Sequence, residues 1–400
     1  MTNILNNKRI VLGVSGSIAC YKSVDIASKL MQSGSLVDVL LTKSSTEFIT
    51  PLTFRSITHR PVITDFFDIE SNDPLQHISI GNNADLIVVA PATANIIAKL
   101  AMGLSDDPLT TTILASKAPV IIAPAMDGHM YEQPITTENI AKLSKRGFTI
   151  VEPLKGHLAS GITGYGRLAD TSSIIGHIRA TLGKNGDLAG KKIVVSAGGT
   201  QEPIDLVRVI TNRSSGKMGY AIAEESRDRG SNTILITASN QLSDPVGIDV
   251  IHVESAIEMD KAVQESCRKA DVLIMAAAVA DYRPASYLKE KLKKSAEKLT
   301  LSLVLNPDIL KNIDKKVFRV GFAAESQNLI RNAQEKLKGK DLDLIVANDI
   351  TSEGSGFGSD TNQVVIIGKN AEPIKLPLLS KQEVASKVLD QVFANIKKRK

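Results

Sequence analysis

The chain has no tryptophan, and aromatic residues make up only 4% of its 400 positions. A surface that stacks nucleic-acid bases needs aromatics interleaved with basic residues, so nucleic acid is not an expected partner. There are only two cysteines, Cys20 and Cys267, far apart and in no CxxC or metal-ligand spacing. That excludes a disulfide framework and a zinc module, and makes a reducing, cytoplasmic setting the expectation. No apolar run reaches the roughly 18 residues of a membrane span. Met1–Lys8 carry no signal-peptide pattern. The formal net charge of +5 is mild. It suits small anionic substrates and decides nothing alone. The terminal Lys397-Lys398-Arg399-Lys400 reads as a solvated tail.

Strands alternate with helices throughout. Ile10–Val14 is β-rich and runs into Ser15-Gly16-Ser17-Ile18, after which a helical stretch reaches Gly34. Val37–Leu41 is a second strand. Leu86–Ala90 and Val120–Ala123 are continuous apolar runs, as expected of parallel strands buried on both faces, with a helix over Ala94–Met102 between them. Glycine and polar residues cluster at Leu182–Gly190, which reads as a linker. Strands then recur at Lys192–Ser196, Thr233–Thr237, Val250–Val253, Asp271–Ala277, Phe318–Phe322 and Leu344–Ala347, with a hairpin-like strand at Gln363–Gly368. The pattern predicts two doubly wound α/β domains, Rossmann-like or flavodoxin-like, over residues 1–185 and 186–400. Each is a mainly parallel sheet flanked by helices. The lysine-rich Leu288–Lys298 and the glycine-rich Glu353–Asp360 read as exposed loops.

Neither glycine-bearing loop fits a standard nucleotide fingerprint. Gly13-Val14-Ser15-Gly16-Ser17-Ile18 lacks the full GxGxxG, and the second strand ends in Thr42-Lys43-Ser44-Ser45 rather than a ribose-binding carboxylate. Hydroxyls, a cation and helix N-terminal amides suit a phosphate monoester, which points away from NAD and towards FMN. Ala90-Pro91-Ala92-Thr93-Ala94-Asn95 and Pro124-Ala125-Met126-Asp127-Gly128-His129-Met130-Tyr131 follow buried strands, where open α/β sheets place ligands. In the second half, Asn212-Arg213-Ser214-Ser215-Gly216-Lys217-Met218-Gly219 is not a Walker A loop. The glycine five residues before Gly216 is missing, and Met218 stands where a Mg²⁺-binding hydroxyl would be.

Taken together, "GVSGSIACYK", "ITPLTF", "QHISIG", "APATANIIAKLAMG", "PAMDGHMY" and "GHLASGITGYGRL" resemble the homo-oligomeric flavin-containing cysteine decarboxylases, in particular 4′-phosphopantothenoylcysteine decarboxylase. The resemblance implies FMN held by Gly16, Ser17, Ile18, Thr42, Ser44, Ala92 and Thr93. It implies His77 as base or orienting group, the Asp127 segment as the binder of the substrate carboxylate, and the Ser160 segment as a substrate clamp. A hydride is then taken from beside the sulfur, CO₂ leaves the resulting thioaldehyde, and the hydride is returned. Two positions depart from the family pattern. Asp127 replaces an asparagine, and Ser160 replaces a cysteine that acts as proton donor. An ionised Asp127 would repel the substrate carboxylate, so it is either protonated or directed at another group. Tyr165, His129, His157 and Cys20 are alternative proton donors. The first half could also stop at the enethiol, or be a non-catalytic or prenyltransferase-like flavin binder.

From residue 190 onward, "AGGTQEPIDLVRVITNRSSGKMGYAIA", "AAAVADYRP", "KEKLKK", "NPDIL", "GFAAES" and "LDLIVANDI" resemble the bacterial, CTP-using phosphopantothenate–cysteine ligases. The order of the two halves is similar to that of the bifunctional coenzyme A biosynthesis proteins. The resemblance implies Mg²⁺ as cofactor, CTP as co-substrate and an acyl-cytidylate contacted by Asn212. Met275, Ala276, Ala277 and Asp281 would recognise nucleotide. Pro307, Asp308, Ile309 and Leu310 form the matching loop, Phe322 would lie against the base, and Lys291, Lys336 and Lys340 would bind phosphates. The partners implied are 4′-phosphopantothenate, cysteine and CTP. The assembly implied is a homo-oligomer with trimeric decarboxylase sites and dimeric ligase sites. No Mg²⁺ ligands are assigned.

Overall fold

The structure, a computed structural model, describes residues 3–65, 75–291, 300–325, 327–349, 358–369 and 371–398. The chain divides into two compact units, the first ending at Leu182 and the second beginning at Gly183. Most of the two expected surface loops, 292–298 and 353–357, lies outside the described residues.

The first unit runs β1 (Arg9–Val14), α1 (Cys20–Gln32), β2 (Leu36–Leu41), α2 (Pro51–Thr58), β3 (Val62–Ile63), α3 (Gln76–Asn83), β4 (Leu86–Ala92), α4 (Ala94–Met102) and α5 (Pro108–Ala115). It continues through β5 (Val120–Pro124), α6 (Gly128–Glu132), α7 (Pro134–Lys145), β6 (Thr149–Ile150), the hairpin β7 (Leu154–His157) and β8 (Thr163–Arg167), and α8 (Thr171–Gly183). The sheet order is β3-β2-β1-β4-β5-β6, all parallel. The order reverses direction between β1 and β4, which opens a crevice at the carboxyl ends of those strands. Leu86, Ile87, Val88 and Val89 are fully buried, as their unbroken apolar run requires. Helix α1 turns Ile26, Ala27 and Leu30 onto the sheet, and Gly34 beyond it takes a positive φ of 84°.

The second unit opens with β9 (Lys192–Ala197), the hairpin β10 (Gln201–Pro203) and β11 (Val209–Thr211), α9 (Lys217–Asp228), β12 (Asn232–Thr237), β13 (Asp249–His252) and α10 (Ala256–Cys267). Next come β14 (Val272–Met275), the pair β15 (Tyr282–Pro284) and β16 (Leu303–Leu305), β17 (Phe318–Glu325), α11 (Leu329–Gly339) and β18 (Leu344–Asp349). It closes with β19 (Thr361–Asn362), β20 (Val364–Gly368), β21 (Ile374–Lys375), β22 (Leu379–Ser380) and α12 (Lys381–Lys398). Its eight-stranded sheet has the order β13-β12-β9-β14-β17-β18-β20-β21. The strands are parallel as far as β18 and antiparallel beyond it. Both units therefore have the doubly wound α/β architecture expected of the strand–helix alternation.

One expectation needs correction. Lys397 and Lys398 are not a free tail but the end of α12, where the Lys397 ammonium lies 4.4 Å from the centre of the Phe393 ring. A cation near a helix C-terminus also meets its negative dipole end.

Candidate active sites

In the first unit the loops after β1, β2 and β4 converge. The Ser15 hydroxyl donates to the Pro91 carbonyl at 2.8 Å and accepts from the Thr93 amide at 2.9 Å, locking the first loop to the third. Thr93 caps α4 by accepting from the Ile96 amide. Gly16 passes so close to the second loop that a β-carbon there would sit 2.5 Å from the Ser44 β-carbon. Thr42 Oγ1 is buried and has no hydrogen-bond partner among the described residues. A buried hydroxyl without a partner costs free energy, so a polar ligand atom is the natural complement. The expected residues Gly16, Ser17, Thr42, Ser44 and Thr93 thus form a cradle at the crevice, and its donors fit a phosphate monoester. Ala92 lies buried at the end of β4 beside it, and Ile18 is exposed.

A cleft of about 370 Å³ adjoins this cradle, lined by Ser17 and Ile18 on one side and by Asp127, His157, Ser160 and Arg167 on the other. Asp127 caps α6 by accepting from the His129 amide at 3.0 Å, and its second oxygen accepts from the Ser160 hydroxyl at 2.5 Å. The Ser160 bond and the His129 amide hold its carboxyl below the ordinary carboxylate range, so it is ionised at neutral pH. Lys22 also lines the cleft, donates to the Leu168 carbonyl and faces Asp170 at 3.7 Å. Of the alternative donors, only His157 lines the cleft. Cys20 is buried beneath the first loop, donating to the Ser15 carbonyl, and burial pushes its thiol up. His77 is half-buried in the first turn of α3 and does not line the cleft.

In the second unit a cavity of about 760 Å³ opens at the carboxyl ends of β14 and β17. It gathers Asn212, Met275, Ala277, Asp281, Phe322, Lys336 and Lys340, with Pro307, Asp308, Ile309 and Leu310 on one wall. The Asn212 amide donates to the carbonyls of Ala278 (3.3 Å) and Val279 (3.2 Å), tying the loop after β11 to the loop after β14. Thr200 reinforces that junction by accepting from the Ala280 amide at 2.9 Å. Lys336 pairs with Glu325 at 2.6 Å and Lys340 with Asp308 at 3.5 Å. Burial would raise the Glu325 carboxyl, but Lys336 and Asn332 outweigh it and hold it low.

Phe322 is half-buried and also lines a second, smaller cavity of about 140 Å³. There Ala276 meets Ser214, Ser215 and Gly216 at the start of α9. Lys291 is exposed next to residues outside the description and lines neither cavity. Residue patterns missed Lys22 and Arg167 in the first unit and Lys381 in the second. Each is an isolated cation in sequence, and only the fold brings it to a pocket.

The two halves of the chain match two known families in turn. Residues 2–183 match the family model described as Flavoprotein, and residues 188–396 match the DNA/pantothenate metabolism flavoprotein C-terminal domain. The "Coenzyme A biosynthesis bifunctional protein CoaBC" of Bacillus subtilis (strain 168) is 44% identical over 397 residues, covering 98% of each chain. The chain belongs to this family of bifunctional coenzyme A biosynthesis proteins. The Escherichia coli (strain K12) relative of the same name is 39% identical, covering 97% of each chain. A solved structure, the C-terminal domain of such a protein, is 39% identical and covers 53% of this chain and 98% of its own, with a TM-score of 0.46. As in this bifunctional family, the flavoprotein half precedes the pantothenate-metabolism half.

Proposed function

We propose how the ligase and decarboxylase activities of this bifunctional coenzyme A biosynthesis enzyme are divided between its units. The second unit joins 4′-phosphopantothenate to cysteine, and the first decarboxylates the product to 4′-phosphopantetheine. The observation that carries this reading is the gathering of Asn212, Asp281, Phe322, Lys336 and Lys340 around one cavity.

A carboxylate is a poor electrophile. In the second unit it attacks the α-phosphorus of CTP, forming an acyl-cytidylate and releasing pyrophosphate. The cysteine amine then displaces CMP. Lys336 and Lys340 exchange their carboxylate partners for nucleotide phosphates, offsetting charge as it moves from the α-phosphorus to pyrophosphate. Phe322 lies against the base, and Asn212 directs its amide at the acyl carbonyl. No cluster of three or more His, Cys, Asp or Glu that could hold a metal occurs among the described residues. Mg²⁺ would bind mainly through the nucleotide phosphates, its usual mode.

In the first unit Gly16, Ser17, Thr42, Ser44, Ala92 and Thr93 would hold FMN, and Thr42 Oγ1, which has no hydrogen-bond partner among the described residues, would be available to its phosphate. When bound, FMN supplies reversible hydride acceptance, which makes loss of CO₂ from a cysteine carboxylate feasible. Lys22, His157 and Arg167 offset the anionic substrate in the adjoining cleft. The first unit assembles as a trimer with its sites between subunits, where His77, which does not line the cleft of its own chain, would serve a neighbouring subunit's site. The second unit pairs through the exposed apolar residues of its hairpins, giving dimeric ligase sites.

The nature of the activation is tested by its by-products. With phosphopantothenate, cysteine, Mg²⁺ and CTP, turnover should release pyrophosphate and CMP. Release of inorganic phosphate and CDP would mean an acyl phosphate and overturn the reading.

A further inference from the structure

Loss of CO₂ leaves an electron pair in the sulfur-conjugated system, and a saturated product needs one proton at the carbon that lost CO₂, best supplied by a group in the cleft. The ordinary candidates are poorly placed. The Ser160 hydroxyl is intrinsically a weak acid, and it already donates a hydrogen bond to the Asp127 carboxylate. Cys20 is buried beneath the loop and donates to the Ser15 carbonyl. Asp127 itself is held ionised by the Ser160 hydroxyl and the His129 amide. Binding changes that, because the substrate carries a carboxylate into the same cleft and a second carboxylate nearby disfavours the ionised form of the first.

We propose that Asp127 takes up a proton as the substrate carboxylate binds and then donates it to the carbon left behind when CO₂ departs. This rests on the decarboxylase reading of the first unit. The carboxyl–carbon bond breaks, and its electron pair passes through the sulfur-conjugated system into a new C–H bond. Asp127 loses its proton and returns to the carboxylate. The step is redox-neutral, R–COO⁻ plus Asp127–COOH giving R–H, CO₂ and Asp127–COO⁻. Ser160 is a positioning residue that keeps the carboxyl turned into the cleft.

The surroundings are consistent with a proton that is gained only on binding. Tyr21 and Lys22 on α1 and His157 and Arg167 on the β7–β8 hairpin line the cleft with the pair, His129 on α6 donates its amide to Asp127, and Asp170 faces Lys22. The cations among them favour the ionised form while the cleft is empty. A bound carboxylate neutralises them and reverses the balance.

The test uses the flavin-loaded full chain. Isothermal titration with the substrate's serine analogue, which keeps the carboxylate but cannot form a thioaldehyde, is run in buffers of different ionisation enthalpy. Wild type should take up about one proton per analogue bound, and Asp127→Asn almost none. In single turnover with phosphopantothenoylcysteine, Asp127→Asn should release CO₂ but form the saturated thiol roughly 100-fold more slowly than wild type, leaving a product two hydrogens short. Adding Ser160→Cys to that variant should restore the saturated thiol, because a thiol is an adequate acid. Equal proton uptake in both proteins, or saturated product from Asp127→Asn at the wild-type rate, would overturn the proposal. Wild type that releases CO₂ but only the unsaturated thiol would also overturn it. If wild type releases no CO₂, the decarboxylase reading itself fails, a result distinct from the other three.

Discussion

The Ser160 hydroxyl and the Asp127 carboxylate are joined by a 2.5 Å hydrogen bond across the cleft of the first unit. Together with the His129 amide, this bond stabilises the charged form of Asp127. Ser160→Ala removes the larger of the two influences, so the Asp127 pKa should rise towards its ordinary value. Carboxyl ¹³C chemical shifts followed against pH report this directly. An Asp127 midpoint that stays put or falls would mean that the bond does not form in solution.

Thr42 gives a cleaner test of the cofactor cradle. Its buried hydroxyl has no hydrogen-bond partner among the described residues. Thr42→Val keeps the shape and removes only the unpaired oxygen, so the flavin-free protein should melt no lower than wild type. FMN affinity should fall by about five- to tenfold, the worth of one hydrogen bond of about 1 kcal/mol. Fluorescence titration of FMN measures the second effect and thermal unfolding the first. Unchanged affinity would remove Thr42 from the cradle.

Much of this site was legible in the sequence because loop chemistry at strand ends is local. The missing ribose carboxylate after β2 and the hydroxyl run Thr42 to Ser45 already argued for a phosphate monoester. The strands were legible for a different reason, since Leu86–Val89 and Ile121–Ala123 are buried on both faces and must be apolar throughout. Relations across the chain were not legible. Nothing in the spacing of Asp127 and Ser160 announces a hydrogen bond, because the β7–β8 hairpin folds back to make it. The same holds for Lys22 and Arg167, which share a cleft from opposite ends of the unit. The terminal lysines looked like a tail because charge pattern alone does not show that Lys397 covers Phe393.

Asn212 holds two carbonyls of the loop after β14. An aspartate there cannot donate, and its charge would face both oxygens. Asn212→Asp should therefore slow amide formation by roughly 100-fold, the scale set by losing one donor aimed at a developing charge. Pyrophosphate should still appear, so acyl-cytidylate accumulates. Quenched-flow with labelled CTP resolves the two steps, and normal amide turnover would count against the assigned role.

The second unit exposes Leu206 and Val207 beyond β10, each more than 60% accessible, and Leu288 beyond β15. The two segments are neighbours, tied by the Leu288 amide donating to the Ile204 carbonyl at 3.1 Å. A clustered apolar surface of this kind marks a protein contact. Leu206→Glu should weaken pairing of the ligase units, lowering the sedimenting mass at micromolar concentration without altering the monomer's circular dichroism. An unchanged mass would place the dimer contact elsewhere.

The central claim is that one chain carries phosphopantothenate through both steps. The most direct measurement supplies purified, FMN-loaded protein with 4′-phosphopantothenate, cysteine, CTP and Mg²⁺, and follows every product by mass spectrometry. The account predicts one CMP, one pyrophosphate and one CO₂ for each saturated 4′-phosphopantetheine. Phosphopantothenoylcysteine accumulating with no CO₂ would contradict it, leaving a ligase beside a flavin-binding domain that does not turn over.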